Sequence, residues 1–268
     1  MSIHIKNIQK KGFTLIPKVF KKTVCDYAKN LSNRLIRESN IDFNNHDSQS
    51  CLADKTGEKV LNNIQNKDYF FFQFISNKKI CGLVSHFLQK GSYKNKEPFH
   101  LINTQVRCLN PYAKKQQLHL DSNLPGKGGF PLVMLAIVML DDFNQNNGAT
   151  RVVLDSHFRD DYALPNKTYD NEFKIYGKAG DVIVLNGALW HGSEKNKTNN
   201  ERWSINIGYA RWFIKPSFDI PRSLKKETYL RMSLFERELL GLKTVPPINE
   251  FQRLTRKSKN DFLNWEEV

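Results

Sequence analysis

Strict alternation of polar and apolar residues marks the middle of the chain. In "RWSINIGYA", Arg202, Ser204, Asn206 and Gly208 fall on one face of a strand, with Trp203, Ile205, Ile207 and Tyr209 on the other. The segment Phe99–Leu109 behaves likewise, setting Asn103, Gln105 and Arg107 against Ile102, Thr104, Val106 and Cys108. "LVMLAIVML" (Leu132 to Leu140) is apolar throughout and reads as a strand buried on both faces. The candidate strands across 99–215 are then six: Phe99–Leu109, Gln116–Asp121, Leu132–Asp142, Thr150–Leu154, Asp181–Leu185 and Trp203–Phe213. Turn-forming stretches separate them: Asn110-Pro111, "PGKGG", "NNG", Gly180-Asp181 and Asn186-Gly187. Many short strands joined by turns predict a sandwich or barrel and not a βαβ fold.

The flanks have a different period. "GFTLIP" predicts a short strand, Phe13 to Ile16, stopped by Pro17. Phe20, Val24, Tyr27, Leu31 and Leu35 then recur at helical spacing. The polar stretch Asn40 to Asn66 shows no clear period, and a second helix follows with Ser76 as its cap, Ile80, Val84, Phe87 and Leu88 inward, and Gly91 at its end. Beyond Pro221 the pattern predicts a helix from Ser223 to Gly241, and then "TVPPINEF", kept extended by Pro246 and Pro247. The expected organisation is a single domain over 1–268: helical cladding with one strand (1–98), a β core (99–215) and a C-terminal helical segment (216–268).

Composition narrows the class. At 268 residues, 40% hydrophobic and 25% charged, the chain is long enough to bury a substantial core and is not a disordered polymer. Its longest apolar run falls far short of the ~20 residues needed to cross a bilayer as a helix, and "MSIHIKNIQKKGF" has no apolar signal-peptide core. Cys25, Cys51, Cys81 and Cys108 form no CxxC pair, so neither a zinc site nor a disulfide framework is expected, and a reducing cytoplasm is the expected compartment. The net charge of +14 raises the question of a nucleic-acid partner. The lysines are scattered in short runs such as Lys10-Lys11 and Lys225-Lys226, no nucleic-acid-binding motif accompanies them, and they predict solvated surface instead.

Candidate chemistry begins at "QQLHLDS". On a strand, His119 and Asp121 share a face and Leu118 and Leu120 the other, which fits both a solvated edge and half of a metal site. Downstream, "GDVIVLNGALWHGS" delivers His191 at a strand's exit, and Arg202 and Ser204 point the same way from the next strand. An arginine fork beside a hydroxyl is a ready clamp for a carboxylate. Two imidazoles and one carboxylate occupy one face of an octahedral metal and leave the others open. Plainer roles exist for each residue: His191 as a turn cap, Arg202 as the partner of a buried carboxylate, Trp190 as core packing and His157 as a structural hydrogen-bonder. His4, His46, His86 and His100 have no site context.

The order His-x-Asp, "NGATRVVLDSH", "GDVIVLNGALWHGS" and the following arginine, with "RELLGLKTVPP" near the end, resembles the phytanoyl-CoA dioxygenase family of Fe(II)/2-oxoglutarate oxygenases. The resemblance runs from "GFTLIP" onward and is densest between Gln116 and Tyr209. It implies a double-stranded β-helix core (a jelly roll, cupin-like) with flanking helices. It further implies iron held by His119, Asp121 and His191, and 2-oxoglutarate held at its far carboxylate by Arg202 and Ser204. With O2 as oxidant, a substrate carbon would be hydroxylated as succinate and carbon dioxide form. Leu154-Asp155 stands where the family has Pro-Gly, a departure that bears on a loop conformation. Family members that halogenate replace the metal carboxylate with a small residue, and the presence of Asp121 favours hydroxylation. Asn103, Gln105 and Arg107 are candidates either to line the cavity or to face solvent, and a small substrate bearing a carboxylate or phosphate would meet Arg107 first. An oxygenase acting on nucleic acid and a catalytically silent jelly-roll binding protein are the alternatives. The oligomeric state leaves no trace in the sequence.

Overall fold

The computed structural model describes residues 1–38, 57–126, 130–247 and 249–255. In chain order its helices are α1 (Ser2–Lys11), α2 (Lys22–Glu38), α3 (Phe72–Ile75), α4 (Lys78–Leu88), α5 (Ile220–Ser223), α6 (Lys226–Arg231), α7 (Leu234–Leu239) and α8 (Glu250–Thr255). Its strands are β1 (Phe13–Ile16), β2 (Glu58–Asn62), β3 (Phe99–Leu109), β4 (Val133–Met139), β5 (Thr150–Val153), β6 (Glu172–Ile175), β7 (Val182–Asn186), β8 (His191–Ser193) and β9 (Arg202–Arg211).

Two antiparallel sheets face each other as in a jelly roll. The major sheet has six strands in the order β1-β7-β4-β9-β3-β2, and the minor sheet has three in the order β6-β5-β8. Every neighbour in both sheets runs antiparallel. Residues opposite each other in an antiparallel pair share a face, so the register fixes what each face of the major sheet presents. On the outer face Leu61, Val106, Ile205, Ala136 and Val184 join the buried residues of α2 and α4 in one apolar cluster. Cys25, Ala28 and Leu31 supply the inward stripe of α2, and Ile80, Val84 and Phe87 that of α4. Each fully buried aliphatic or aromatic side chain there contributes about 1.5–3 kcal/mol.

The inner face is divided. At the β4–β7 end, Leu135, Ile137, Ile183 and Leu185 pack on Val152 and Ile175 of the minor sheet. At the β9–β3–β2 end, the register sets Ser204 opposite Arg107, Asn206 opposite Gln105, and Gln105 opposite Asn62. The minor sheet, with three strands against six, closes over the apolar half and leaves the polar half as the wall of a cavity.

Strands Phe13–Ile16 and Phe99–Leu109 occur with the bounds the alternation predicts. Several expectations are corrected. Gln116–Asp121 is not a strand but a single bridge, His119 to His191. Strand β2 arises in the stretch without a clear period, and α1, β6 and β8 were not foreseen. The helix from Ser223 to Gly241 is instead two short helices, α6 and α7, with Ser223 the last residue of α5, because Leu224 (ψ 127°) and Met232 (ψ 138°) are extended. Asn77 caps α4, its Oδ1 accepting from Lys79 N (3.1 Å) and Ile80 N (3.4 Å), while the Ser76 hydroxyl donates to Phe72 O and Glu236. The "TVPPINEF" run does not stay extended to its end, since α8 begins at Glu250. Cys51 and His46 lie outside the described residues.

Candidate metal centre and its cavity

Backbone pairing brings the two distant histidines together. His119 N donates to His191 O (3.0 Å) and His191 N to His119 O (2.9 Å), a closed antiparallel pair that places both rings on one side. The ring centroids are 4.3 Å apart. Two residues on, Asp121 is fixed by its N–H to Gly187 O (2.7 Å), and its carboxylate turns to the same side. The side-chain Nδ1 of His119 lies 3.2 Å from Gln117 O, and that of His191 lies 2.9 Å from Leu189 O. A carbonyl only accepts, so each Nδ1 carries a proton, and in the neutral ring that tautomer leaves the Nε2 lone pair for a metal. Those Nε2 atoms stand 3.6 and 3.7 Å from the two Asp121 oxygens. The three ligand atoms lie within 4.8 Å of one another, and among the described residues no other His, Cys, Asp or Glu group converges this way. Burial, with His191 beside it, lowers the His119 pKa to about 4, so the ring is neutral near pH 7. Two imidazoles and a carboxylate on one side, open on the other, form a donor set suited to non-haem Fe(II).

Arg202 and Ser204 lie across the cavity on β9. The guanidinium is 6% exposed, stacks on Phe143 with 4.4 Å from Cζ to the ring centroid, and donates to Ser204 Oγ (3.2 Å) and Gly148 O (3.0 Å). Its Nε has no partner, and no described carboxylate forms an ion pair with it. Burial lowers its pKa to about 10, which leaves it cationic at neutral pH. A buried cation without a counter-charge is costly unless an anion completes it. This geometry suits one end of a dicarboxylate.

The cavity, about 220 Å³, is lined by all of these side chains and also by Asn103, Gln105 and Arg107. Those three therefore face the cavity and not bulk solvent. Arg107, however, is already paired. Its Nε donates to Glu58 Oε2 (2.7 Å) and its Nη2 to Glu58 Oε1. Burial opposes the Glu58 carboxylate, yet the adjacent guanidinium outweighs it and holds the pKa below the usual range. Glu58 was missed because β2 is short and sits in an Asn-rich stretch, although "EKVLN" does place Glu58, Val60 and Asn62 on one face. Gln116 was missed as well: its Oε1 accepts from Ser193 N (3.2 Å), while its buried Nε2 has no partner.

Other residues take structural places. Trp190 is 1% exposed, packed edge-on against Tyr169 and outside the cavity. His157 lies with Nε2 3.3 Å from Gln9 O, away from the metal-type cluster. Arg211 donates to Pro131 O, Phe87 O and Lys90 O, so it is not a second carboxylate clamp. Asp155 adopts a left-handed conformation (φ 62°) at the point where the family pattern has Pro-Gly, so the turn is made without the glycine.

A family model described as phytanoyl-CoA dioxygenase matches residues 8–204. The uncharacterized protein Rv1501 of Mycobacterium tuberculosis is 26% identical over 211 residues, covering 75% of this chain and 76% of that one. Dioxygenase trt7 of Aspergillus terreus is 29% identical over 156 residues, covering 54% and 53%. Among solved structures, HygX from Streptomyces hygroscopicus, crystallised with nickel and 2-oxoglutarate, superposes with a TM-score of 0.63 at 16% identity, over 80% of this chain and 88% of that one.

Proposed function

The chain belongs to the phytanoyl-CoA dioxygenase family of Fe(II)- and 2-oxoglutarate-dependent oxygenases, and on that premise we propose that it hydroxylates an aliphatic carbon of a small molecule, with succinate and carbon dioxide as co-products. In this reading His119, Asp121 and His191 hold the iron, and Arg202 with Ser204 holds the far carboxylate of 2-oxoglutarate. The observation that carries it is the pairing, in one cavity, of a three-donor cluster with a buried guanidinium lacking an anion.

When bound, iron and 2-oxoglutarate together supply the activation of O2 that oxidises a substrate C–H bond. The chain's own residues position and protect. Gln117 O and Leu189 O fix the histidine tautomers, so that both Nε2 lone pairs are available without a proton to lose. Arg202, braced by Phe143, Gly148 O and Ser204, orients the cosubstrate from its distal end. Leu135 and Ile137 give the cavity an apolar floor that limits water.

The test is release of succinate by purified protein loaded with Fe(II) under anaerobic conditions and then given O2 and 2-oxoglutarate. His119→Ala and His191→Ala are each expected to lose iron retention and turnover. Succinate release at the parental rate from the doubly substituted protein would refute the assignment.

A further inference from the structure

The polar half of the inner face, left open by the minor sheet, has its charges cancelled, while several amide donors and acceptors lack a side-chain partner among the described residues. From this we infer that the substrate is an electrically neutral molecule rich in hydroxyl or amide groups, bound against β2, β3 and β9. The inference rests on the iron and 2-oxoglutarate reading of the same cavity. It departs from the sequence-based expectation of an anionic substrate meeting Arg107.

Charge decides between substrate classes. Among the described residues, the charged side chains lining the cavity are Glu58, Arg107, Asp121 and Arg202. Glu58 and Arg107 neutralise each other through a two-point contact. Asp121 and Arg202 carry opposite charges, and a metal dication and a cosubstrate dianion cancel as well. The loaded cavity is therefore neutral, with no cation among the described residues left for a carboxylate or phosphate. An added anion would enter a partly desolvated space uncompensated, which is unfavourable.

Hydrogen-bonding capacity excludes a hydrocarbon. On this wall Val60 is the apolar residue and its neighbours are amides or the ion pair. Gln105 Nε2 donates to Asn62 Oδ1 (2.9 Å), and Asn206 Oδ1 accepts from Ser204 Oγ (3.2 Å). The Asn206 Nδ2 and both polar atoms of the Asn103 amide have no side-chain partner among the described residues. The remaining contact, Arg107 Nη1 to Gln105 Oε1, is long at 3.4 Å. An acyl chain laid here would strand these donors and acceptors away from water, at a cost for each. Hydroxyls or amides, which both donate and accept, would satisfy them.

The experiment measures ligand binding by saturation-transfer NMR on the full-length protein loaded with Zn(II), a redox-silent, diamagnetic stand-in, and 2-oxoglutarate. The neutral probes are methyl β-glucoside, inositol and N-acetylglucosamine; the anionic ones are glucose 6-phosphate and glucuronate; the apolar one is octanoate. Calorimetric binding of 2-oxoglutarate to the same metal-loaded protein comes first, and its failure would overturn the functional reading separately. We expect neutral probes to bind, and each anionic counterpart to bind at least about tenfold more weakly. Glu58→Gln, which leaves Arg107 unpaired, should reverse that order toward the anions. The double substitution Glu58→Gln with Arg107→Gln, which removes both charges, should restore it, and this variant keeps the test valid if the single one does not fold. Preferential binding of glucose 6-phosphate, glucuronate or octanoate to the parent, or no binding of any neutral probe, would overturn the inference.

Discussion

Arg202 is the residue on which cosubstrate affinity should turn. Arg202→Ala is expected to weaken 2-oxoglutarate binding by about 1.5–3 kcal/mol, or roughly 10- to 150-fold, because a charge-assisted contact is lost. Iron retention should stay near the parental level, since the clamp lies apart from the three donors; equal loss of both would place Arg202 in a purely structural role. Ser204→Ala should cost about 1 kcal/mol of the same affinity. The brace can be probed from the other side. Gly148 has φ +78°, and a Cβ there would sit 2.2 Å from Leu109 Cδ2 and 3.0 Å from Glu194 O, while Gly148 O holds Arg202 Nη2. Gly148→Ala should therefore lower both thermal stability and 2-oxoglutarate affinity, measured by melting with and without cosubstrate; a variant that melts and binds like the parent would show that the turn has slack.

At the scale of elements, Glu236 ties the C-terminal helices to the N-terminal cladding. Its carboxylate accepts from Ser76 Oγ (2.9 Å), Tyr69 OH (3.1 Å) and both the N–H and hydroxyl of Ser233 (2.8 Å each). The Ser233 side of this arrangement is a capping box, and its loss in Ser233→Ala should cost about 1 kcal/mol. Glu236→Ala removes four contacts, with the Ser76 hydroxyl left only its bond to Phe72 O, so denaturant unfolding should show a clearly larger loss than Ser233→Ala; a smaller one would mean the two regions hold together without it. The sequence revealed elements whose faces differ. Strands β1, β3 and β9 and the inward stripes of α2 and α4 were legible because alternation or helical spacing continued long enough to be unambiguous. Strand β2 was not, since five residues in a polar stretch carry too little pattern, and the break of the last helix falls at Leu224 and Met232, whose backbones are extended and whose side chains are buried. That His119, Asp121 and His191 converge, and that Arg202 and Ser204 share their cavity, was legible from order and family likeness. The pairing of Arg107 was not, because its partner lies 49 residues away in a strand that had no visible period.

For the whole molecule, the surplus of positive charge and the buried histidines each have a consequence that can be measured. Burial lowers the pKa of His100 and of His157 below 6.5, so the folded state binds their protons less readily than the unfolded chain does. Their share of stability is intact above pH 6.5 and is lost as pH falls from that value toward the folded ones. Denaturant midpoints at pH 7.5 and 5.5 should thus show a drop before most carboxylates titrate, and a flat profile would contradict the burial of the two rings. The net charge of +14 is expected to give weak oligonucleotide binding that fades with added salt and never stimulates succinate release. Coupling of oligonucleotide binding to turnover would instead assign the charge a catalytic role. No helix among the described residues is long and apolar enough to cross a membrane.

The unequal size of the two sheets separates what must stay fixed from what is free to diverge. The proposed iron donors hang on the short bridge between β8 and the segment before Asp121, and the proposed clamp sits at the start of β9. Apart from β9, the proposed substrate face is drawn from alternate positions of β2 and β3, which contribute neither proposed metal donor nor proposed clamp. On that reading, exchanging side chains at Glu58, Asn103, Gln105 and Arg107 would retarget the enzyme while its reaction stayed the same, so the first place to look for altered selectivity is the edge strand β2 together with its neighbour β3.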